Sequence, residues 1–283
     1  MECRLDNITV HYESYGQGRP LIMLPGWTMD ARSHAHIMEP YLQAREGWQR
    51  IYIDPPGHGR TPGEAMVTGL DQMLDVLLAC IEKLLPGQRF ALCGISLGAY
   101  LARGVLYHRA ASIDGMAMLV PAIVTTDADR DTPTHTVLVE EPGMMASLSD
   151  EEREMIEIVV VRSKNYLDQM RAWPELAEEE QSDYEYLQTI RENPNAYRCN
   201  FDVDALEEPF AKPALIITGR QDAVVGYADA WRLLDNYPRA TFVVFDRAGH
   251  FLEEKEPSIG PLLNEWLDRV EEYSPTNDQQ LSN

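Results

Sequence analysis

Short apolar runs alternate with helix-period stretches along this chain, and few architectures accommodate that order. "PLIMLPG", "RIYIDPPG", "RFALCGIS", "GMAMLVPA", "ALIITGR" and "TFVVFDRAGH" are near-continuous apolar segments that run into Gly or Pro. Strands buried on both faces of a parallel sheet read this way. "ITVHYESYG" instead alternates with period two, as a half-exposed strand does. Between the runs lie helical patterns. Over 71–85, Leu74, Leu77, Leu78, Ile81, Leu84 and Leu85 recur at three- and four-residue spacing before Pro86-Gly87 ends them. Over 256–270, Leu262, Leu263, Trp266, Leu267 and Val270 share one side. The alternation predicts an α/β fold with a mostly parallel central sheet flanked by helices and right-handed crossovers.

The alternation breaks once. From about Pro121 to about Pro209 no strand is predicted, and 140–192 holds 15 acids against five bases. Ser149-Asp-Glu-Glu152 is a capping-box sequence, opening a helix expected to run into "MIEIVVV". The expected organisation is a core at 1–120 and 210–273, a helical cap inserted at 121–209, and a flexible polar tail at 274–283.

Charge and cysteine usage exclude several function classes. The 283 residues carry 24 Lys and Arg against 46 Asp and Glu, a formal charge of −22. That field repels phosphate backbones and anionic headgroups, so no nucleic-acid partner is expected. "MECRLDNITVHYE" has no apolar targeting core, and no stretch of ~18 apolar residues occurs, so no membrane insertion is expected. Cys3, Cys80, Cys93 and Cys199 form no CxxC pair. They suit a reducing cytosol better than a disulfide framework or a zinc site, and a cytoplasmic location is expected.

"CGISLG" carries the chemistry. Gly94-Ile95-Ser96-Leu97-Gly98 places one serine between two glycines, after a predicted strand and before a predicted helix. So sharp a turn strains the serine backbone and leaves no room for side chains two positions away. It holds the hydroxyl at a helix N-terminus, where backbone N–H groups favour a developing oxyanion. A serine needs a base and the base an orienting acid. His250 ends "VVFDRAGH" just past a predicted strand, and Asp222 ends "LIITGRQD" 28 residues earlier. Ser96, Asp222, His250 is the chain order expected of such a fold. Asp54 and His58, within "DPPGHG", read as ordering that turn, and His34 and His36 are spaced wrongly for a metal. The backbone N–H groups of Trp27, after "LIMLPG", and of Leu97 are the expected oxyanion donors.

Taken together, "PLIMLPGW", "IDPPGHGRT", "CGISLGAY", "LIITGRQD" and "RAGHFLEEKEP" resemble the α/β-hydrolase family, specifically its members with a helical cap. The resemblance implies acyl-enzyme chemistry at Ser96 and a small-molecule substrate entering between sheet edge and cap. It implies neither metal nor organic cofactor. Pro25-Gly26 stands where relatives often carry His-Gly, and Phe251 where carbon–carbon bond hydrolases carry Trp. An ester is the expected substrate. The alternatives are a carbon–carbon bond, a lactone or an amide on the same triad, or a non-catalytic ligand-binding protein of this fold. Trp27, Met29, Met144, Met145, Tyr166, Trp173 and Phe251 are candidate pocket residues, since aromatics and methionines adapt to varied acyl groups. The acidic insertion is expected to disfavour anionic substrates, within the reach that salt screening leaves it.

Overall fold

The structure, a computed structural model, describes residues 1–172, 182–253 and 256–273. Among these, eight strands form one sheet: β1 (Glu2–Arg4), β2 (Thr9–Tyr15), β3 (Arg19–Leu24), β4 (Trp48–Ile53), β5 (Phe90–Ile95), β6 (Ile113–Leu119), β9 (Ala214–Gly219) and β10 (Ala240–Phe245). Their order is β1-β2-β4-β3-β5-β6-β9-β10. The pairs β1–β2 and β2–β4 are antiparallel and all the others parallel. β7 (Val139–Glu140) and β8 (Val161–Arg162) pair apart from this sheet.

The period of two inside each strand divides the core. Ile22, Leu24, Leu92, Met116 and Ile216 face α2 (Leu70–Leu84) and α3 (Leu97–Arg109) on one side. Leu21, Met23, Ala117, Leu215 and Ile217 pack on the other side. There they meet α1 (Ala31–Leu42) and the C-terminal helix Glu256–Tyr273, with its Leu263, Trp266 and Leu267. Both faces are covered, which is why these strands read as unbroken apolar runs. Each large side chain so buried stabilises by about 2 kcal/mol.

Five elements differ from the sequence reading. β10 is an edge strand and half-buried along its whole length, because no strand among the described residues pairs beyond it. β1 is three residues long and leaves no periodic trace. In the segment predicted free of strands, β7 and β8 are two residues each, too short for a pattern. The helix opened by the Ser149 capping box, α4 (Asp150–Met155), ends before "IEIVVV". Those β-branched residues restrict side-chain rotamers in a helix, and the chain turns into β8 instead. The tail at 274–283 lies outside the described residues.

Two buried polar groups fasten the loops above the sheet. Arg103 of α3 is fully buried, donates from Nη2 to Ala122 O at 2.9 Å and stands 3.3 Å from Asp204. It thereby joins both ends of the segment between β6 and β9 to the core. Asp54, at the end of β4, accepts from the amides of Ala31 and Arg60 at 2.6 and 3.2 Å. Burial raises the Asp54 carboxyl to about 7 against the pull of those two amides. A folded-state value above the unfolded one near 3.9 favours folding fully only below that lower value. The contribution is lost as pH rises through about 7. Thermal melts of Asp54→Asn between pH 4 and 8 are therefore expected to show a flatter decline of Tm than the wild type. An unchanged slope would remove Asp54 from this role.

Candidate active site

β5 delivers Ser96 to the carboxyl edge of the sheet in a left-handed conformation, φ 51° and ψ −113°. A Cβ on Gly94 would collide with the Gly98 carbonyl, and one on Gly98 with the Leu24 carbonyl. Both glycines are thus required by close approach. The Ser96 amide donates to Leu119 O at 3.0 Å, and its carbonyl accepts from Ala122 N at 3.1 Å.

The three side chains singled out in the sequence converge. His250 Nε2 lies 3.1 Å from Ser96 Oγ, and His250 Nδ1 lies 2.9 Å from Asp222 Oδ2. Asp222 is fully buried, and its other oxygen accepts from the amides of Val224 and Val225, each at 2.9 Å. Those bonds satisfy the second oxygen of the buried carboxyl group. Asp222 favours the imidazole tautomer with the proton on Nδ1, which frees Nε2 to accept from the serine hydroxyl. Among the described residues, the amides of Trp27 and Leu97 donate to no protein acceptor. Leu97 opens α3, so its N–H has no helical acceptor and faces the turn.

A cavity of about 700 Å³ opens over Ser96 and His250. Of the candidate pocket residues, Trp27, Met29, Tyr166 and Phe251 line it. Met144 and Met145 do not. Met144 is buried with Leu148, Ile156, Val159 and Met170, and Met145 packs against that cluster. Those methionines fill the small core that the inserted segment builds for itself. Trp173 lies outside the described residues. Asp54 and His58 stay in their turn, where His58 Nδ1 lies 3.2 Å from Pro56 O and burial lowers the imidazole to about 4.

The sequence reading passed over Glu253. It is buried, accepts from Gly249 N at 2.7 Å and from Val160 N at 3.2 Å, and so ties the histidine loop to the inserted segment. The signal was an acid within the apolar stretch "HFLEE" just after the histidine. Arg130 and Arg191, also on the cavity wall, lay in polar stretches without any distinguishing pattern.

A model of the alpha/beta hydrolase fold family matches residues 19–257. The chain belongs to that family and is a hydrolase. It is similar to the pimeloyl-[acyl-carrier protein] methyl ester esterase of Nitrosomonas europaea, at 26% identity over 86% of this chain and 92% of that one. It is also similar to the (E)-2-((N-methylformamido)methylene)succinate hydrolase of Acinetobacter baylyi, at 30% identity over 44% of this chain and 46% of the relative. Among solved structures, an alpha/beta superfamily hydrolase from Oenococcus oeni superposes with a TM-score of 0.83. That match has 25% identity and covers 96% of this chain and 99% of the other. No helix among the described residues is long and apolar enough to cross a membrane.

Replacing Glu253 by Gln sets an amide N–H₂ against one of two backbone donors and should let the histidine loop shift. A misplacement of this kind costs up to about 100-fold in rate. Phosphonylation of Ser96 by a serine-directed fluorophosphonate, with loss of fluoride, is expected to slow at least tenfold in Glu253→Gln, with the circular dichroism spectrum retained. Wild-type labelling rates would show that the loop holds without this carboxylate.

Proposed function

We propose that this hydrolase cleaves a carboxylic ester of a small molecule through an acyl-enzyme on Ser96. The observation that carries the reading is the line from Asp222 through His250 to the Ser96 hydroxyl, with two unengaged main-chain amides beside it. His250 takes the hydroxyl proton as Ser96 Oγ attacks the ester carbonyl. Asp222 holds the imidazole and stabilises the imidazolium. The amides of Trp27 and Leu97 hold the oxyanion, each worth about 3 kcal/mol in comparable sites. The imidazolium then gives its proton to the departing alkoxide. Water, deprotonated by the same histidine, releases the acid and restores the serine.

The ester is favoured over other acyl substrates by the long match to a methyl ester esterase. Phe251, half-exposed at the cavity with its ring 6.0 Å from that of His250, occupies the place where the sequence comparison led us to expect Trp in a carbon–carbon bond hydrolase. The segment 121–209 acts as the cap over the cavity, contributing Tyr166 and Gln169 from the helix Lys164–Ala172. Four buried, unpaired cysteines support a reducing, cytoplasmic setting.

Mass spectrometry of the intact protein after a fluorophosphonate probe is expected to show a single adduct, absent in Ser96→Ala. Turnover of activated esters should fall on the order of 10⁶-fold in that variant. Labelling that survives the substitution moves the nucleophile elsewhere. Faster turnover of lactones, arylamides or ring-fission products than of esters would reassign the bond. Tight saturable binding with no turnover at all would make the chain a receptor.

A further inference from the structure

Two guanidinium groups border the cavity where the inserted segment leaves β6. Arg130 is nearly sealed, with 5% of its side chain exposed. Its Nε donates to Val124 O at 2.7 Å, Nη1 to Val224 O at 2.9 Å and Nη2 to Thr125 O at 3.3 Å. The Val224 amide in turn donates to Asp222, so this arginine is anchored two residues from the triad's acid. Arg191, which ends the helix Tyr184–Arg191, lies over the Tyr197 ring at 4.3 Å. Tyr197 meets the Trp27 ring edge-on at 5.2 Å, and Trp27 carries one of the unengaged amides. The pair is therefore tied to the acid side of the triad and to the oxyanion side together.

Their charge is only half compensated. Asp127 serves both, 2.7 Å from Arg130 Nη1 and 2.6 Å from Arg191 Nη2, and is 64% exposed, where solvent screens it. Among the described residues, Arg191 Nε donates to no protein acceptor. The other carboxylates on the wall are engaged. Glu39 accepts from Arg50 and from the Tyr52 hydroxyl, and Glu253 accepts from two amides. Burial, together with the neighbouring Arg191 charge and against the pull of Asp127, holds the Arg130 guanidinium below its ordinary value. Two cations sharing one screened anion beside an apolar pocket are short of a negative partner. This is the reverse of what the acidity of 140–192 leads one to expect.

The geometry points to Arg130 and Arg191 as the binding site for a carboxylate at the far end of the acyl group, making the preferred substrate a monoester of a dicarboxylic acid. The inference rests on the ester-hydrolase reading above. Guanidinium groups match carboxylates in charge and hydrogen-bond geometry, Arg191 Nε is without a protein acceptor among the described residues, and Arg130 adds its charge from behind. A phosphate-terminated acyl chain presents the same anionic chemistry, and the assay separates the two.

The test compares kcat/KM for monomethyl esters of C4 to C8 dicarboxylic acids, for neutral methyl esters of equal length, and for ω-phosphonoacyl methyl esters. One dicarboxylic monoester is expected to exceed its neutral counterpart at least tenfold in the wild type, through KM. Arg191→Gln should erase that advantage, a loss of roughly 10- to 100-fold for a hydrogen bond to a charged group. Turnover of the neutral ester should fall less than that of the dicarboxylic monoester, so that the ratio of the two rates reads the site. A larger advantage for the phosphonate would shift the ligand to a phosphate-bearing acyl chain. Equal rates on charged and neutral esters, or equal losses on both in Arg191→Gln, would overturn the proposal. Calorimetry of the C4 to C8 dicarboxylates themselves supplies a readout free of turnover. Should Ser96 prove inert to every ester, wild-type binding that weakens at least tenfold in Arg191→Gln would still support the site, and equal binding would sink it.

Discussion

The backbone at Ser96 is the constraint on which the rest of the site depends. A non-glycine residue at φ 51° costs roughly 1–3 kcal/mol and persists only where its surroundings over-determine it. Here the surroundings do so from both sides. The Ser96 amide is bonded to the last residue of β6 and its carbonyl to the amide of Ala122, the third residue beyond that strand. The elbow and the departure of the inserted segment are therefore one structure. Anything that relaxes the turn also moves the chain that rises over the cavity.

The same strain recurs around the cavity mouth. Thr28, Val120 and Leu252 are, with Ser96, the non-glycine residues at positive φ among the described residues, and all four line the cavity. They follow the ends of four different strands, β3, β5, β6 and β10. Local bonds hold the other three as well. Thr28 O accepts from Ser182 Oγ at 2.8 Å, Val120 N donates to Ile217 O at 2.7 Å, and Leu252 N donates to Gly249 O at 3.3 Å. Strain gathered at one sheet edge locates a functional surface without reference to any motif. The same bonds fix the loops that carry Ser96 and its neighbours. Each loop is fixed to the sheet or to its neighbour rather than standing free in solvent.

The sheet and the three converging side chains were legible because both leave marks in short windows. Runs such as "ALIITG" are almost wholly apolar since both faces of β9 are covered, and Ser96, Asp222 and His250 lie one, three and five residues past the ends of three apolar runs. What escaped depends on partners distant in sequence. β10 carries the apolar run of a central strand yet lies at the edge, and only its pairing partner reveals that. Met144 and Met145 have the composition of a pocket lining, but Ile156, Val159 and Met170 draw them into a separate core. Glu253 and Arg130 look like surface charges in one dimension. Their meaning comes from Val160 N and Val224 O, residues roughly ninety positions away.

Charge separates along the same line between the global and the local. A net charge of −22 describes the field at long range and bears on which macromolecules approach. At physiological salt that field decays over about 8 Å, so exposed acids on the outside of the inserted segment say little about the interior. Inside the cavity the decisive charges are those withheld from water. Arg130 is sealed and its counter-ion Asp127 is not, so the pair contributes a positive potential to the wall that its formal bookkeeping of one plus and one minus conceals. Asp222 is sealed as well, but its charge is consumed by the imidazole and two amides. An acidic protein can thus present a locally cationic pocket, because burial, rather than the count of charges, decides which of them a ligand meets.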